Sequence, residues 1–307
     1  MHIPFLNYIL IAMKRVIVVF VIAAFAVQCW AQKAPGADRA WWNSLPKEWK
    51  DAFVKELGIR KQMAELPDVY LEELMKIRRL NVSNNQQIQG LEPLKALQHL
   101  EMLNVSKTQI RSLKGIENLA ILKELNCSYN DNIMAIDEVA QLVNLKVLNI
   151  METMVISLGP LRDLNQLEDL NCEFTTIRSL APLGNLPNLL KLNVAHNPGI
   201  YELSFLSTHK KLLELNCSYT NVESLGELEN HESLQVLDVS YTPLTSVRQL
   251  IKVRTLTELN ISGTQCITIK YLMAHPFLKV LSVTGAQVPK HEILQFRKQS
   301  KDLIVVE

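Results

Sequence analysis

The chain has 307 residues, of which 48% are hydrophobic and 21% are charged, and its formal net charge at pH 7 is +1. This composition is ordinary for a globular protein. Because neither sign of charge dominates, we expect neither nucleic acid nor an anionic membrane surface as a partner.

Residues 1–31 have the pattern of an export signal. Lys14 and Arg15 precede an apolar run over 16–27, and Ala31 supplies a small residue at its end. A basic start, an apolar stretch of about a dozen residues and a small residue at the cleavage point predict a secretory signal peptide. We therefore expect an exported protein, either periplasmic or secreted.

Two alternatives to signal cleavage stay open. The apolar run could act as a membrane anchor, although a membrane span needs about 20 apolar residues and this run is shorter. Cys29 could instead carry a lipid, although Gln28 is a poor residue before such a site. After cleavage we expect no stable membrane span.

Residues 32–40 are predicted to be a flexible lead, and 41–79 a helical amino-terminal cap. A repeat array needs such a cap because a terminal repeat exposes its core. Ser44 is a candidate N-cap and Gly58 a stop signal for a first helix, and a second helix is predicted from 67 to 77. The first helix has three apolar residues at helical spacing: Trp49, Phe53 and Leu57.

From residue 80 to 286 the chain repeats one short motif every 22 or 23 residues. In each of ten copies, a leucine is followed by a small polar residue and then by an aliphatic residue or cysteine. A fixed period of this length indicates one supersecondary unit per repeat, which buries its apolar face only by stacking on its neighbours. The leading leucines are Leu80, Leu103, Leu125, Leu148, Leu170, Leu192, Leu215, Leu237, Leu259 and Leu281.

The repeat from 103 to 124 shows how one unit is built. Leu103 and Val105 face one way and Asn104 the other, which predicts a short strand. The next apolar residues recur at every third position, which is the period of a 3₁₀-helix or an extended turn. We therefore predict ten to eleven short parallel strands on a concave side and 3₁₀ or extended segments on a convex side. The apolar residues at this period are Ile110, Leu113, Ile116, Leu119 and Leu122.

The carboxy-terminal cap is predicted over 287–307 as a helix from 289 to 298 followed by an edge strand from 303 to 306. In this strand Leu303 stands one 22-residue step beyond Leu281. Three helix residues are predicted to face inward: Ile293, Leu294 and Phe296.

These units resemble the leucine-rich repeat family. The family pattern LxxLxLxx(N/T)x(L/I/V) matches one unit at Leu100, Leu103, Val105, Thr108 and Ile110, and nearly every other unit follows it. The repeat length and the convex period are similar to the short subclass found in bacterial internalins and in a eukaryotic phosphatase regulator. The resemblance implies an α/β solenoid, a right-handed arc whose concave parallel sheet recognises a partner.

Cys127, Cys172 and Cys217 stand at the third position of their motifs, 45 residues apart. Parallel strands lie about 4.8 Å apart, so cysteines two strands apart are separated by about 9.6 Å, whereas a disulfide needs Cα atoms within about 7 Å. We therefore predict buried free thiols, with Cys266 in a loop as the remaining cysteine of the mature chain.

The fifth position after the leading leucine separates two kinds of repeat. Where it holds asparagine the repeat has 23 residues, and where it holds threonine the repeat has 22. Asparagine reaches backbone groups of a turn that threonine cannot reach, and it tolerates left-handed geometry, so we infer that it accommodates the extra residue. The asparagines are Asn85, Asn130 and Asn197.

Catalytic and metal-binding motifs are missing from the sequence, which has no glycine-rich phosphate loop, paired-cysteine metal motif or nucleophile elbow. His209, His231 and His275 share one position of the repeat, and the first two could lie about 5 Å apart in neighbouring coils. A zinc site would need further ligands, and Val253 interrupts the row. We therefore predict histidines at the rim of the core, with no catalytic residue, metal ion or cofactor.

The middle residues of the motifs form a row on the predicted concave side. Carboxamide groups at strand spacing can hydrogen-bond to one another as a ladder, which would leave little for a ligand. The row consists of Asn81, Asn104, Asn126, Asn149, Asn171, Asn193, Asn216, Asp238 and Asn260.

The rows that flank this ladder vary, and we predict that they bind a partner. Exposed aromatic residues beside acids are typical of interfaces, and we expect the rings of Tyr129, Phe174, Tyr219 and Tyr241 to be exposed and contiguous. The alternative is that the rings only pack over neighbouring strand ends. The candidate residues are Tyr129, Glu152, Phe174, His196, Tyr219 and Tyr241 on one side and Glu124, Asp169, Glu214 and Glu258 on the other.

These features predict an exported, non-enzymatic binding module for a protein, peptide or glycan. One alternative is an intracellular regulatory subunit similar to the phosphatase-binding relative, but the export signal opposes it. Another is an enzyme, for which only the histidine row offers a candidate site. Internalin-like adhesins continue into an immunoglobulin-like segment and a wall anchor. The sequence runs to Glu307 with neither segment, so we expect a periplasmic or freely secreted protein rather than one attached to a host cell.

Overall fold

A computed structural model describes residues 37–59, 65–229, 231–273, 275–299 and 303–307. The predicted signal peptide, Cys29 and the first part of the predicted lead lie outside the described residues. The chain divides into two compact units, Met1–Leu45 and Pro46–Glu307.

Helix α1 (Ala37–Ser44) is the main described element of the first unit. Residues 37–40, which were predicted to be flexible, form its first half. Ser44 is its last residue and donates its hydroxyl to Trp41 O at 2.6 Å. The prediction of Ser44 as an N-cap is therefore wrong, because its hydroxyl is used within α1 and the next helix follows Pro46 without a side-chain cap.

The second unit begins with two helices, α2 (Lys47–Glu56) and α3 (Asp68–Met75). Trp49 and Phe53 of α2 are buried, and their ring centroids lie 5.2 Å apart. The indole Nε1–H of Trp49 donates to Gly90 O at 3.1 Å, which ties the helical cap to the first coil of the repeats.

Eleven parallel strands follow in chain order and form one sheet. Each of the first ten begins one residue before a leading leucine, and the leading leucines pair in register, as Leu103 does with Leu125 and Leu125 with Leu148. The predicted concave parallel sheet is confirmed. The strands are β1 (Arg79–Asn81), β2 (Met102–Asn104), β3 (Glu124–Asn126), β4 (Val147–Asn149), β5 (Asp169–Asn171), β6 (Lys191–Asn193), β7 (Glu214–Asn216), β8 (Val236–Asp238), β9 (Glu258–Asn260), β10 (Val280–Ser282) and β11 (Ile304–Val306).

The core is a spine of aliphatic rows that run from coil to coil. Leu103, Leu125 and Leu148 are at most 2% exposed, and the convex residues Leu113 and Leu119 are fully buried. Each fully buried leucine contributes about 1.5–3 kcal/mol relative to an exposed one. The convex side has the predicted 3₁₀ segments, which are Glu92–Ala96, Asp137–Gln141, Gly159–Leu161, Ala181–Asn185, Ser204–Ser207, Gly226–Leu228, Arg248–Lys252 and Lys270–Leu272.

The buried asparagines of the longer repeats bond the backbone of two coils. Asn130 Oδ1 accepts from the N–H and the hydroxyl of Thr108 in the preceding coil, and Asn197 bonds in a similar way. The amide bonds the turn as predicted. The left-handed residue, however, is not the asparagine but the residue immediately before it, Tyr129 or His196. Asn130 Nδ2 donates to Val105 O at 2.9 Å, Cys127 O at 2.9 Å and Ser128 O at 3.2 Å.

Helix α4 (Lys290–Gln299) caps the carboxy-terminal end. Ile293 and Phe296 are buried as predicted, whereas Leu294 is 55% exposed. The prediction for Leu294 is wrong because successive helical residues are about 100° apart, so the residue after Ile293 leaves the buried face.

The last strand is shifted from its predicted register. Leu281 pairs with Val305, two residues beyond the predicted Leu303. The ten residues of α4 replace the shorter 3₁₀ segment of an ordinary coil, so the chain returns to the sheet later.

Cys127, Cys172 and Cys217 are buried free thiols, as the strand spacing predicted, and Cys266 is also buried and free. Burial raises the pKa of Cys127 to about 12 and raises the pKa of Cys172 and Cys217 as well. Because the thiolate is the reactive form, these residues act as small apolar core residues in the native state.

We expect Asn130→Ala to lower the free energy of unfolding by about 3 kcal/mol, because it removes the bonds that Asn130 makes to the buried Cys127 carbonyl oxygen and to the Thr108 N–H. The matched control is Asn144→Ala, which removes an exposed bond to Ala120 O and should cost less than about 1 kcal/mol. Urea denaturation of both variants measures the difference. Equal losses in the two variants would contradict the role given to Asn130.

Candidate functional site

Each middle residue from Asn81 to Asn260 bonds a backbone N–H of its own coil, and one pair also bonds across neighbouring strands: Asn260 Nδ2 donates to Asp238 Oδ2 at 2.9 Å. Asn104 Oδ1 accepts from the Ser106 N–H at 3.0 Å, and Asn149 Oδ1 accepts from the Met151 N–H at 3.0 Å. Among the described hydrogen bonds the predicted ladder is therefore limited to that one rung, because each Oδ1 closes an Asx turn with the N–H two residues on. The same bond is made by Asn81, Asn126, Asn171, Asn193, Asn216, Asp238 and Asn260.

The fourth residue after each leading leucine, which we call the turn row, has a left-handed backbone. Only glycine adopts this conformation freely, and other residues pay about 1–2 kcal/mol for it. Among the described residues eight non-glycine residues have φ between 51° and 62°, and the row ends in two glycines with φ of 67° and 71°. The turn row is Asn84, Lys107, Tyr129, Glu152, Phe174, His196, Tyr219, Tyr241, Gly263 and Gly285.

Backbone hydrogen bonds hold the turn row in register from one coil to the next. The N–H groups of Tyr129, Glu152 and Phe174 each donate to a carbonyl of the following coil. Because all these residues share one backbone conformation, their side chains leave the sheet edge in the same direction. The acceptors are Met151 O at 2.8 Å, Glu173 O at 3.0 Å and Ala195 O at 3.1 Å.

Four rings of the turn row form a stack, which we call the ring column: Phe174, His196, Tyr219 and Tyr241. Their successive centroids are 3.8, 4.2 and 4.4 Å apart, and the ring planes differ by 11° to 14°. These separations are shorter than the strand spacing of about 4.8 Å, so the rings lean into contact. At the end of the column, a Cβ added to Gly263 would lie 2.6 Å from Tyr241 Cδ1, so the Tyr241 ring covers this glycine.

The ring column is exposed on its outer edge. Phe174, Tyr219 and Tyr241 are 42%, 43% and 50% exposed, and Tyr129 is 42% exposed. The predicted exposure is present, but the predicted contiguity holds only for the ring column. Tyr129 is separated from it by Glu152 and instead carries Lys107 Nζ at 4.7 Å from its ring centroid.

The acids on the other flank of the sheet stand at the first position of their strands and do not form one cluster. Lys191 Nζ lies 2.6 Å from Glu214 Oε1. Burial is the main cause that raises the pKa of Asp169, and nearby Glu214 acts in the same direction while Lys191 opposes it. Glu258 is exposed. The sequence therefore placed these residues on one edge but could not show that a lysine neutralises Glu214.

Glu124 is part of a groove of about 440 Å³ on the concave face. Arg79, Met102 and Val147 share its wall, and Glu56 of α2 contributes to its edge. This groove lies at the amino-terminal end of the sheet, apart from the ring column in the coils that follow.

The histidines of the convex row bond to backbone groups. His231 Nε2 donates to His209 O, and its Nδ1 accepts from the Leu234 N–H at 3.2 Å, which requires the neutral ring. His275 contacts two carbonyl oxygens. Burial lowers the pKa of both His231 and His275. Within the described residues, no group of three or more histidine, cysteine, aspartate or glutamate side chains is placed to hold a metal ion.

Comparison with known proteins adds evidence on the fold. No protein-family model and no curated protein matches the chain. Internalin InlF of Listeria monocytogenes superposes with a TM-score of 0.61 at 19% identity, over 85% of this chain and 88% of InlF. The functional domain of InlJ from the same organism gives 0.66 at 20% identity, over 88% of this chain and 60% of that one. The chain has the leucine-rich repeat fold.

The same fold is found in neighbours that were solved with ligands. The plant peptide hormone receptor RGFR1 in complex with RGF2 gives a TM-score of 0.63 at 21% identity, over 78% of this chain and 41% of that one.

The described helices of this leucine-rich repeat chain include none long and apolar enough to cross a membrane.

Sequence reasoning found the members of the ring column but missed what shapes the turn row. A signal was present, since the row ends in Gly263 and Gly285 and contains no β-branched residue, and β-branched residues avoid the left-handed region. Glu173 was also missed; its Oε2 accepts a hydrogen bond from Nδ2 of Asn193 in the next coil at 2.9 Å.

Relief of backbone strain should stabilise the turn row. We expect Glu152→Gly to have a free energy of unfolding about 1 kcal/mol above that of Glu223→Gly, because Glu152 has φ 54° whereas Glu223 is not left-handed. Both glutamates are exposed, so the loss of side-chain contacts is matched. Thermal and urea denaturation measure the difference, and a Glu152→Gly protein that is the less stable of the two would contradict a strained turn.

Stability should fall as the pH drops from about 7 toward 5. The folded pKa of His231 and His275 lies below the ordinary 6.5, so the unfolded chain binds protons first and acid favours it. Their contribution is complete above pH 6.5 and is lost as the pH falls through the folded pKa. Urea denaturation across this range should show a smaller loss for His231→Gln/His275→Gln, and an identical pH slope would rule these residues out as the cause.

Proposed function

We propose that this chain is an exported, non-enzymatic binding module that recognises a protein or peptide through its concave face and the ring column. The observation that carries the proposal is a stack of four rings, 42–50% exposed at its phenylalanine and tyrosines, on a strained backbone. Strain of this kind often accompanies functional sites. Large rigid side chains also bind at a small entropy cost.

The geometry of the rings favours a protein or peptide over a glycan. Sugars pack against the faces of aromatic rings, but the faces of His196 and Tyr219 are covered by their neighbours in the column. The Tyr241 ring covers Gly263 on its outer side. Apart from the one face of Phe174 that His196 does not cover, what remains accessible is a line of ring edges and tyrosine hydroxyls, which suits apolar side chains and backbone groups of a polypeptide.

Export is part of this proposal and is supported by the basic and apolar pattern over 1–31. The buried thiols do not oppose export, because they are spaced too far apart to form disulfides. The non-enzymatic part is supported by the hydrogen bonding of the histidine row, whose nitrogens are directed to backbone groups in His231 and His275. The solved neighbours with this fold include a plant peptide hormone receptor in complex with RGF2.

The proposal predicts that Tyr219→Ala/Tyr241→Ala loses its partner. Crosslinking in cells of the source organism, followed by mass spectrometry, identifies proteins captured by the wild type. The double variant should retain less than about a tenth of that capture, because interface tyrosines commonly contribute 2 kcal/mol or more.

A matched control keeps the loss specific. Tyr201 is 64% exposed and lies outside the turn row, so Tyr201→Ala should capture the same proteins as the wild type. Circular dichroism checks that all variants are folded. Undiminished capture by the double variant would count against the ring column as the binding surface.

A further inference from the structure

One acidic side chain interrupts the aromatic part of the turn row. Glu152 lies between Tyr129 and Phe174 and has the same left-handed turn, with φ 54° beside 57° and 51°. Its side chain therefore leaves the backbone in parallel with the two rings. Glu152 is exposed, and its carboxylate has no hydrogen bond or ion pair with any described residue.

The two rings beside Glu152 are each covered on the face that points away from it. Lys107 Nζ lies 4.7 Å from the Tyr129 ring centroid, and the His196 ring lies 3.8 Å from the Phe174 centroid. The faces that remain uncovered are those that face the position of Glu152. An anionic group thus lies between the negative faces of two aromatic rings, and this arrangement attracts a cation.

The spacing fits an ammonium group. Tyr129 and Phe174 are two coils apart, which is roughly 9.6 Å at a strand spacing of about 4.8 Å. The Glu152 side chain occupies the midpoint, so an ammonium paired with its carboxylate lies about 2.8 Å farther out. It would be roughly 5.6 Å from each ring, inside the limit of about 6 Å for a cation–π contact. Lys107 makes such a contact, at 4.7 Å, with the other face of Tyr129.

The charges of the surrounding face point to the same chemistry. The concave face and its edges are formed by four positions of each repeat: the strand start, the middle of the motif, the residue after the motif and the turn row. These positions hold seven acids and three bases, which are Arg79, Lys107 and Lys191. One of the bases, Lys191, is paired with an acid of the same face. The whole chain has a formal charge of +1, so acids are concentrated here. The acids are Glu124, Glu152, Asp169, Glu173, Glu214, Asp238 and Glu258.

We propose that Tyr129, Glu152 and Phe174 form a cation-accepting notch that receives a lysine side chain from a basic segment of the partner. The carboxylate pairs with the ammonium, and the two rings contact it from either side. The notch rests on the proposed function, since it names the chemistry that the binding face selects. It also places a charge-specific contact at one end of the ring column.

The test is fluorescence anisotropy of the full chain with two fluorescein-labelled peptides of repeating Gly-Ser-Lys and Gly-Ser-Gln. The wild type should bind the lysine peptide, and Glu152→Gln should weaken that binding roughly tenfold. Tyr129→Ala and Phe174→Ala should weaken it as well. Glu223→Gln is the control, because it removes the same charge from an exposed glutamate outside the acidic face.

Two results would overturn the notch. One is equal binding of the lysine and glutamine peptides by the wild type. The other is an equal loss in Glu152→Gln and Glu223→Gln, which would show attraction by net charge alone. Circular dichroism confirms folding of each variant, and glutamine retains the stem of Glu152.

The failure of the notch can be separated from the failure of the binding module. If Tyr219→Ala/Tyr241→Ala loses the crosslinked partner while Glu152→Gln captures it like the wild type, the module stands and the notch is wrong. If the double variant captures the partner undiminished, the ring column is wrong, and the peptide titration still decides the notch by itself.

Discussion

In-register pairing of three-residue parallel strands is the constraint from which the other features follow. Each strand bonds the next at the same three positions, so leucine meets leucine along the sheet. A residue type that recurs at one position of the repeat therefore becomes a continuous row in space. The interior rows exclude water as a spine, and the exterior rows become surfaces whose character can change from coil to coil.

In the turn row, the in-register pairing produces a surface whose backbone is strained at every non-glycine residue. A left-handed backbone costs about 1–2 kcal/mol per residue, while a stacked aromatic pair contributes about 0.5–1.5 kcal/mol. The ring contacts of Phe174, His196, Tyr219 and Tyr241 are thus of the right size to offset much of the strain in their own turns. Where the rings stop, glycine takes over at Gly263 and Gly285, which adopt the conformation freely.

Periodicity predicted the fold well because burial is what repeats. The aliphatic residues at the leading position and at every third convex position are buried in every coil, so their spacing in the sequence predicts the interior directly. The caps were predicted less well, since they end the repeat. Ser44 was misassigned because its hydroxyl bonds a carbonyl of the helix that it ends, and the register of β11 shifted because α4 takes up more chain than a 3₁₀ segment.

The candidate site was predicted only in part, because its polar groups have several possible hydrogen-bond partners and the sequence does not distinguish between them. The concave asparagines could bond across coils or within their own turn. Their Oδ1 atoms accept from the backbone N–H two residues on, and Asn193 and Asn260 also donate across coils. Residue spacing placed Tyr129 and Phe174 in one row. Spacing alone contained no information on the backbone angle that aligns the rings; the signal for that angle was the pair of glycines, Gly263 and Gly285, at the end of the row.

The alignment of the turn row is best measured by nuclear magnetic resonance on the folded chain. Positive φ at Glu152, Phe174 and Tyr219 brings the amide and α protons of each residue close together, so each should give a strong intraresidue Overhauser signal. Ring protons of Tyr219 should in addition show contacts to both His196 and Tyr241. Weak intraresidue signals, together with rings that show no contact across coils, would contradict an in-register row of left-handed turns.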